Sequence, residues 1–381
     1  MSPMRVPFNR PCLAGPEDAL MREAIAGGHA SGDGPFTKRC HAILERETGA
    51  GRALLTTSCT HALEMCGLLL DVQPGDEVIV PSFTFVSSVN AFVLRGARPV
   101  FADVRPDTMN LDERLLEPLI TPRTKAIVVV HYAGVACEMD EILRIAARRG
   151  VAVVEDNAHG LLGRYRGRPL GSLGVLATQS FHETKNIQCG EGGALLLNDP
   201  ALVPRAEILR EKGTNRSAFF RGEVDKYTWV GVGSSWLPSD LLAAFLLAQL
   251  EARETIQAKR RAIWDRYDAA LRPWAAGRGI AVPHVPPHCE QPWHMYYLVL
   301  QDLDARQRLT AGLRARGVHA VFHYQPLHLS PMGRNFGGRD GQCPVTEAAG
   351  DRLLRLPFWN DLPPSEQDFA IESVRDVFDG R

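Results

Sequence analysis

The 381-residue chain lacks the features that mark several large functional classes. Its formal charge is −1 with 23% charged residues, so it has no basic field of the kind that nucleic acid binding uses. The longest apolar run, Leu241 to Leu250, is too short to span a bilayer and reads as a core helix. The stretch from Met1 to Arg10 has no apolar signal-peptide region. The eight cysteines (12, 40, 59, 66, 137, 189, 289 and 343) form no C-x-x-C pair, and no histidine cluster has zinc-ligand spacing, so no metal is expected. They read as reduced thiols in a cytoplasmic protein. No G-x-G-x-x-G stands between a strand and a helix, which argues against a nicotinamide oxidoreductase.

What the chain does have is alternation of short Val/Ile-rich runs with helical stretches. Glu77 to Val80, Arg98 to Phe101, Lys125 to Val130 and Val151 to Val154 are too continuously apolar for a one-sided sheet and suit parallel strands buried on both faces. Helices are predicted over His61 to Leu70 and Met139 to Arg149, closed by punctuation such as Pro74-Gly75 and Arg149-Gly150. This is the rhythm of an α/β domain. At this length two domains are expected. A charged helical segment (Ala252 to Leu271) leads into a Pro- and His-rich stretch (Pro283 to Trp293) and a shorter α+β region. The division reads as a large domain, 1–255, whose first twenty or so residues pack outside it, and a small domain, 256–381.

Ligands of open α/β sheets sit beyond the carboxyl ends of the strands, so the loops there carry the chemistry. Thr56-Thr57-Ser58-Cys59-Thr60 enters a helix expected to begin near His61, and small hydroxyl residues at a helix N-terminus either cup a phosphate or serve as an ordinary cap. Pro81 to Ser88 brings Phe83 and Phe85 to the same edge, as a stacking ring or as core filler. Glu155-Asp156 ends a buried strand, and two adjacent acids there need a cationic or hydrogen-bonding partner. Lys185 follows Asp156 by 29 positions (185 − 156) in Ser180-Phe-His-Glu-Thr-Lys-Asn186, before the glycine run Gly190-Glu-Gly-Gly193 that fits a turn approaching a ligand. A strand-tip carboxylate followed by a lysine in a polar loop is what pyridoxal phosphate chemistry requires: the amine bonds the cofactor aldehyde, and the acid pairs with the pyridinium nitrogen.

Those strings, with Glu155-Asp-Asn-Ala-His159, Pro81-Ser-Phe-Thr-Phe-Val-Ser-Ser88, His131-Tyr-Ala-Gly134, Asp225-Lys-Tyr-Thr-Trp229 and Phe322-His-Tyr324, resemble the DegT/StrS family of nucleotide-sugar aminotransferases over nearly the whole chain. Within it, the closest likeness is to dTDP-4-amino-4,6-dideoxygalactose transaminases. The resemblance implies a fold-type-I enzyme dependent on pyridoxal 5'-phosphate, with a mixed, mostly parallel seven-stranded sheet and a smaller C-terminal α+β domain. It implies a homodimer with shared active sites. Lys185 matches the Schiff-base lysine and proton shuttle, Asp156 the pyridinium partner, His159 the neighbour of the ring oxygen and Phe85 the stacking residue. Ser58, Cys59, Thr60 and Ser180 match the phosphate cup. A lysine at 185 also sets the chain apart from the family's sugar dehydratases, which carry histidine there.

There are departures from the family. Where many members read Gly-Tyr-Asn-Tyr-Arg-Met, this chain reads Gly233-Ser-Ser-Trp-Leu-Pro238, so the partner-subunit phosphate ligand falls on Ser235 and the usual arginine on Leu237. The polar stretch Arg210 to Trp229 reads as an arm toward a neighbouring subunit or as a surface loop. Lys212, Arg216 and Lys226 are candidates for the substrate diphosphate, or plain solvated charges. The implied reaction moves an amino group from L-glutamate to dTDP-4-keto-6-deoxyglucose. The alternatives are a C3-keto, UDP- or GDP-linked acceptor, or a non-catalytic protein that binds the same cofactor.

Overall fold

The computed structural model describes residues 4–380; Met1 to Pro3, where the expected N-terminal segment begins, and Arg381 lie outside the described residues. Helices α1 (Glu17–Ala26) and α2 (Pro35–Thr48) come first. They are followed by β1 (Arg52–Thr56), α3 (Cys59–Leu69), β2 (Glu77–Pro81), α4 (Ser87–Val93), β3 (Arg98–Ala102), β4 (Thr124–Val130), α5 (Met139–Arg149) and β5 (Ala152–Asp156). A small ribbon, β6 (Arg164–Tyr165) and β7 (Arg168–Pro169), precedes β8 (Leu176–Ser180) and β9 (Gly193–Leu197). Then come α6 (Val203–Arg210), α7 (Arg216–Phe220), α8 (Asp240–Glu251) and α9 (Arg253–Ala275).

Seven strands form one sheet in the order β1-β9-β8-β5-β4-β2-β3. The pairs from β8 through β5, β4 and β2 to β3 are parallel, and β9 runs antiparallel to both its neighbours. This is the mixed, mostly parallel sheet expected from the sequence. Its strands are apolar on both faces because both are covered. One side packs Leu54, Val80, Val128 and Val154 under α3, α4 and α6. The other packs Ala53, Leu55 and Leu196 under α2 and α8, and Ile79, Ile127 and Val153 under α5. Helix α5 stops at Gly150, whose left-handed φ of +65° suits glycine.

Beyond α9, β10 (Cys289–Glu290) joins β6, and β11 (Tyr297–Val299) pairs antiparallel with β12 (Leu353–Arg355). Helices Leu303–Ala315 and Pro364–Phe378 enclose a separate apolar core that includes Tyr267, Leu271, Leu298, Leu313, Leu354 and Val374. Val6 is fully buried in that core and bridges Val318. The smaller α+β portion is therefore present; Val6 packs on it, whereas Cys12 and Glu17 bond Gln188 and Gln249 and α1 packs against α8 of the larger portion, so the first twenty residues do not all lie outside it.

The structure departs from the sequence reading at three points. Helix α3 begins at Cys59 rather than near His61, because the Ser58 side chain caps it by accepting the His61 N–H at 3.1 Å. In the glycine run, Glu191 and Gly192 line the main cavity, but Gly193 approaches protein rather than ligand, since a Cβ there would lie 2.3 Å from the Ser58 carbonyl carbon. The stretch Arg210 to Trp229 is not uniformly an exposed loop. Arg210 ends α6 fully buried, with its guanidinium paired to Asp33 and its Nε donating to the Leu55 carbonyl at 2.7 Å, and Arg216–Phe220 form a short helix.

Glu155, with no exposed surface, accepts four hydrogen bonds: from His131 Nε2 at 2.8 Å and from the backbone N–H groups of Gly171 (2.9 Å), Leu173 (2.7 Å) and Gly174 (2.7 Å). His131 Nδ1 accepts the Cys137 N–H at 3.2 Å, which leaves Nε2 as the donor to Glu155. Burial acts to raise the Glu155 pKa, but His131 and the backbone N–H groups outweigh it and the net shift is downward. A depressed carboxylate pKa stabilises the fold fully above the ordinary glutamate value of 4.5, and the contribution is lost as pH falls through the lower folded-state value. His131→Ala is expected to cost about 3–5 kcal/mol in denaturant titrations at neutral pH, with the difference from the natural protein shrinking on acidification. A cost under about 1 kcal/mol would show that the pair does not anchor the strand.

Candidate active site

Successive side chains of a strand point to opposite faces, so anchoring Glu155 on the α5 side sends Asp156 to the α3 and α4 side at the carboxyl end of β5. There Asp156 is buried, its Oδ2 accepting the Ser88 hydroxyl at 2.6 Å and its Oδ1 the Ala158 N–H at 3.2 Å. Thr84 Oγ1 lies 2.8 Å from Ser88 Oγ and extends the network.

Asp156 lines a cavity of about 570 Å³. Lys185, Ser58, Cys59, Thr60, Phe85, His159 and Ser180 line the same cavity, so the structure brings together eight of the residues singled out in the sequence. Lys185 sits in the turn after β8, where its N–H donates to the His182 carbonyl at 2.9 Å. The next residue, Asn186, donates to the Pro292 carbonyl at 2.7 Å and accepts from His294 Nδ1 at 2.8 Å, tying the lysine loop to the C-terminal portion. Burial, helped by the Arg355 charge and opposed by Cys59 and Asp156, lowers the Lys185 pKa from 10.5 to about 8. The amine is thus available in both protonation states near neutral pH.

His159 stacks between His294 (ring centroids 4.2 Å apart) and His323 (5.9 Å). Burial, together with the charges of Lys185 and Arg355, holds its imidazole well below the ordinary histidine range, so it is neutral. His159 Nδ1 is buried with no hydrogen-bond partner among the described residues. At the other end of the cavity lies the N-terminus of α3, where Thr60 Oγ1 is 2.7 Å from Ser87 Oγ. The Cys59 thiol points at Thr178 Oγ1, 3.4 Å away, and burial raises its pKa, so it is an uncharged wall. Phe85 is 57% exposed and lines the cavity, whereas Phe83 is core at 1%.

This donor set fits pyridoxal phosphate. A helix N-terminus with hydroxyls suits a dianionic phosphate, a buried carboxyl suits a ring nitrogen, and an exposed aromatic suits a planar ring. A neutral histidine with an unpaired buried nitrogen suits a phenolic oxygen.

The remaining candidates lie elsewhere in the chain. Ser235 is exposed and bridges Glu211, away from the Lys185 cavity. Lys212 and Arg216 both pair with Glu211, at 3.1 and 3.2 Å, and Lys226 is exposed. Leu237 packs against Gly32. Conversely, the sequence reading did not single out Ser88, His294, His323, Tyr324 and Arg355. Ser88 and Phe322-His-Tyr324 were present in the strings that carried the resemblance, but no local pattern tied His294 or Arg355 to a lysine more than a hundred positions earlier.

Residues 11–375 match the DegT/DnrJ/EryC1/StrS aminotransferase family. The spore coat polysaccharide biosynthesis protein SpsC of Bacillus subtilis (strain 168) is 32% identical over 98% of this chain and 97% of its own length. Among solved structures, the aminotransferase TlmJ from Streptoalloteichus hindustanus superposes with a TM-score of 0.90 at 32% identity, covering 98% of this chain and 99% of that one. The putative sugar aminotransferase Spr1654 from Streptococcus pneumoniae, in its PMP form, gives a TM-score of 0.91 at 28% identity over 99% of this chain and 100% of its own. The chain therefore belongs to the DegT/DnrJ/EryC1/StrS aminotransferase family and is an enzyme that works with pyridoxal 5'-phosphate.

Proposed function

We propose that this protein transfers the amino group of L-glutamate to a nucleotide-linked keto-deoxy sugar, dTDP-4-keto-6-deoxyglucose, giving dTDP-4-amino-4,6-dideoxygalactose. The observation that carries the reading is a half-buried lysine amine on the same cavity as a buried, hydrogen-bonded carboxyl, in a chain of this aminotransferase family. The sugar class is supported by the relatives named above, a spore coat polysaccharide protein and a putative sugar aminotransferase.

When bound, the cofactor supplies a ring that withdraws electrons from the carbon bearing the amine. Asp156 would hold a proton on the ring nitrogen, with Ser88 and the Ala158 N–H fixing the carboxyl. Thr60, Cys59 and Ser58 at the start of α3, with Ser180, would hold the phosphate, and Phe85 and His159 would orient the ring. Lys185 would take a proton from the donor's α-carbon and return it, and a pKa near neutrality suits both directions. The chain would be organised as a large cofactor-binding portion, 1–255, and a small portion, 256–381.

The acceptor assignment rests on the paired Ser234-Ser235 and the Tyr227-Thr-Trp229 segment that resemble the dideoxygalactose branch. Lys212, Arg216 and Lys226 are offered for the diphosphate. With L-glutamate and dTDP-4-keto-6-deoxyglucose, product NMR should give an axial amine at C4, and Lys185→Ala should lower turnover by at least about a thousandfold. An equatorial amine, a C3 amine, turnover only with a UDP- or GDP-linked sugar, or no turnover with any acceptor would each contradict the assignment.

The working enzyme would be a homodimer in which Ser235 reaches the partner's phosphate site. Phe85, Phe220, Tyr227, Trp229 and Val232 are all exposed apolar side chains, with Trp229 at 78% and Val232 at 72%, and a second copy would cover them. Mixing inactive Lys185→Ala with inactive Ser235→Arg should restore activity as heterodimers form, because one of the two sites then has both residues intact. No recovery despite verified subunit exchange would mean that each site is built from one chain.

A further inference from the structure

Arg355 stands out as a cation on the cavity wall without a carboxylate partner among the described residues. Its backbone is clamped on both sides: in β12 it pairs with Tyr297 of β11, and it exchanges hydrogen bonds with Val321 (N to O 2.7 Å, O to N 3.1 Å). Alternation along β12 places Leu354 in the C-terminal core and sends Arg355 to the face shared with Leu353, where Tyr132, Tyr297 and Tyr324 form the aromatic wall. Among the described residues the guanidinium donates only to the Phe322 carbonyl, from Nε at 3.3 Å and Nη2 at 3.1 Å, and it lies over the Phe8 ring with Cζ 4.7 Å from its centroid. One carbonyl leaves most of its five N–H donors free.

A half-buried guanidinium facing aromatic rings is costly unless an anion meets it. It lines the cavity with Lys185, His159 and His323, and its charge depresses the pKa of all three. Of the two substrates proposed above, the keto sugar is uncharged at its reacting end, whereas an amino-acid donor brings a carboxylate next to the reacting carbon. A planar fork of N–H groups matches that carboxylate bidentately.

We infer that Arg355 is the residue that binds a carboxylate of the amino donor and so makes this site selective for amino acids over simple amines. The inference rests on the aminotransferase reading with an amino-acid donor and adds a specificity residue to it.

The test compares the holoenzyme with Arg355→Gln and Arg355→Lys, using glutarate as an unreactive dicarboxylate probe followed by calorimetric titration, alongside steady-state kinetics. Arg355→Gln should weaken glutarate binding and raise the glutamate KM by about 10- to 100-fold, with the sugar-nucleotide KM changed less than about twofold. Arg355→Lys, a point charge without the fork, should fall between. If Arg355→Gln does not fold, Arg355→Lys decides, with about a three- to tenfold loss of glutarate affinity expected. Unchanged affinity, no glutarate binding to the natural protein, or a loss confined to dTDP and the sugar nucleotide would overturn the inference, the last by assigning the guanidinium to a diphosphate. A natural enzyme that fails to use glutamate while Arg355→Gln still weakens glutarate would instead defeat the donor assignment alone.

Discussion

A buried carboxylate whose every bond is made inside the protein sets the geometry of this site. Glu155 is held by His131, the residue after β4, and by three backbone N–H groups of the segment before β8, so it ties together the ends of neighbouring strands. Withdrawing any of these donors leaves charge in a place without water, which is why the arrangement is rigid. Because side chains alternate along a strand, the anchored Glu155 fixes which way its neighbour points. Asp156 therefore reaches the cavity by default of the strand's rotation, and Ser88 needs only to hold its second oxygen.

The lysine depends on the same frame from the other side. Asn186 binds the Pro292 carbonyl and His294, and Arg260 in α9 donates to the Trp293 carbonyl at 3.0 Å and to Asn360 Oδ1 at 2.7 Å while also bonding the His294 carbonyl. The Lys185 loop is thus pinned by the C-terminal portion, whose own β12 contributes Arg355 to the cavity. One portion of the chain supplies the acid and the helix N-terminus. The other fixes the lysine loop and carries His294, His323 and the Arg355 guanidinium, whose charge adds to burial in lowering the lysine's pKa.

The sequence showed the strands clearly, since parallel strands covered on both faces must be continuously apolar, and it marked as candidates Asp156 at a strand end and Lys185 in the following loop, which the structure brings to one cavity. Local pattern alone did not separate Phe83 from Phe85, because two aromatics two positions apart in a loop have no period that says which is core; the family resemblance pointed to Phe85, the exposed one. Ser58 serves as a helix cap and also lines the cavity, so its two sequence readings describe one residue. Arg355 was illegible because it lies in a short strand of otherwise apolar residues, and only the pairing with β11 and Val321 reveals its face. Ser235, Lys212, Arg216 and Lys226 do not line the Lys185 cavity.

The central claim is that Lys185 is the residue to which the cofactor bonds, made fit for that by burial opposite Asp156. Borohydride reduction of the holoenzyme, followed by proteolysis and peptide mass spectrometry, tests it most directly. The account predicts the pyridoxyl group on the peptide containing Lys185 and its absence in Lys185→Ala. Modification of another lysine, or no modification of a protein that retains its bound cofactor, would contradict it.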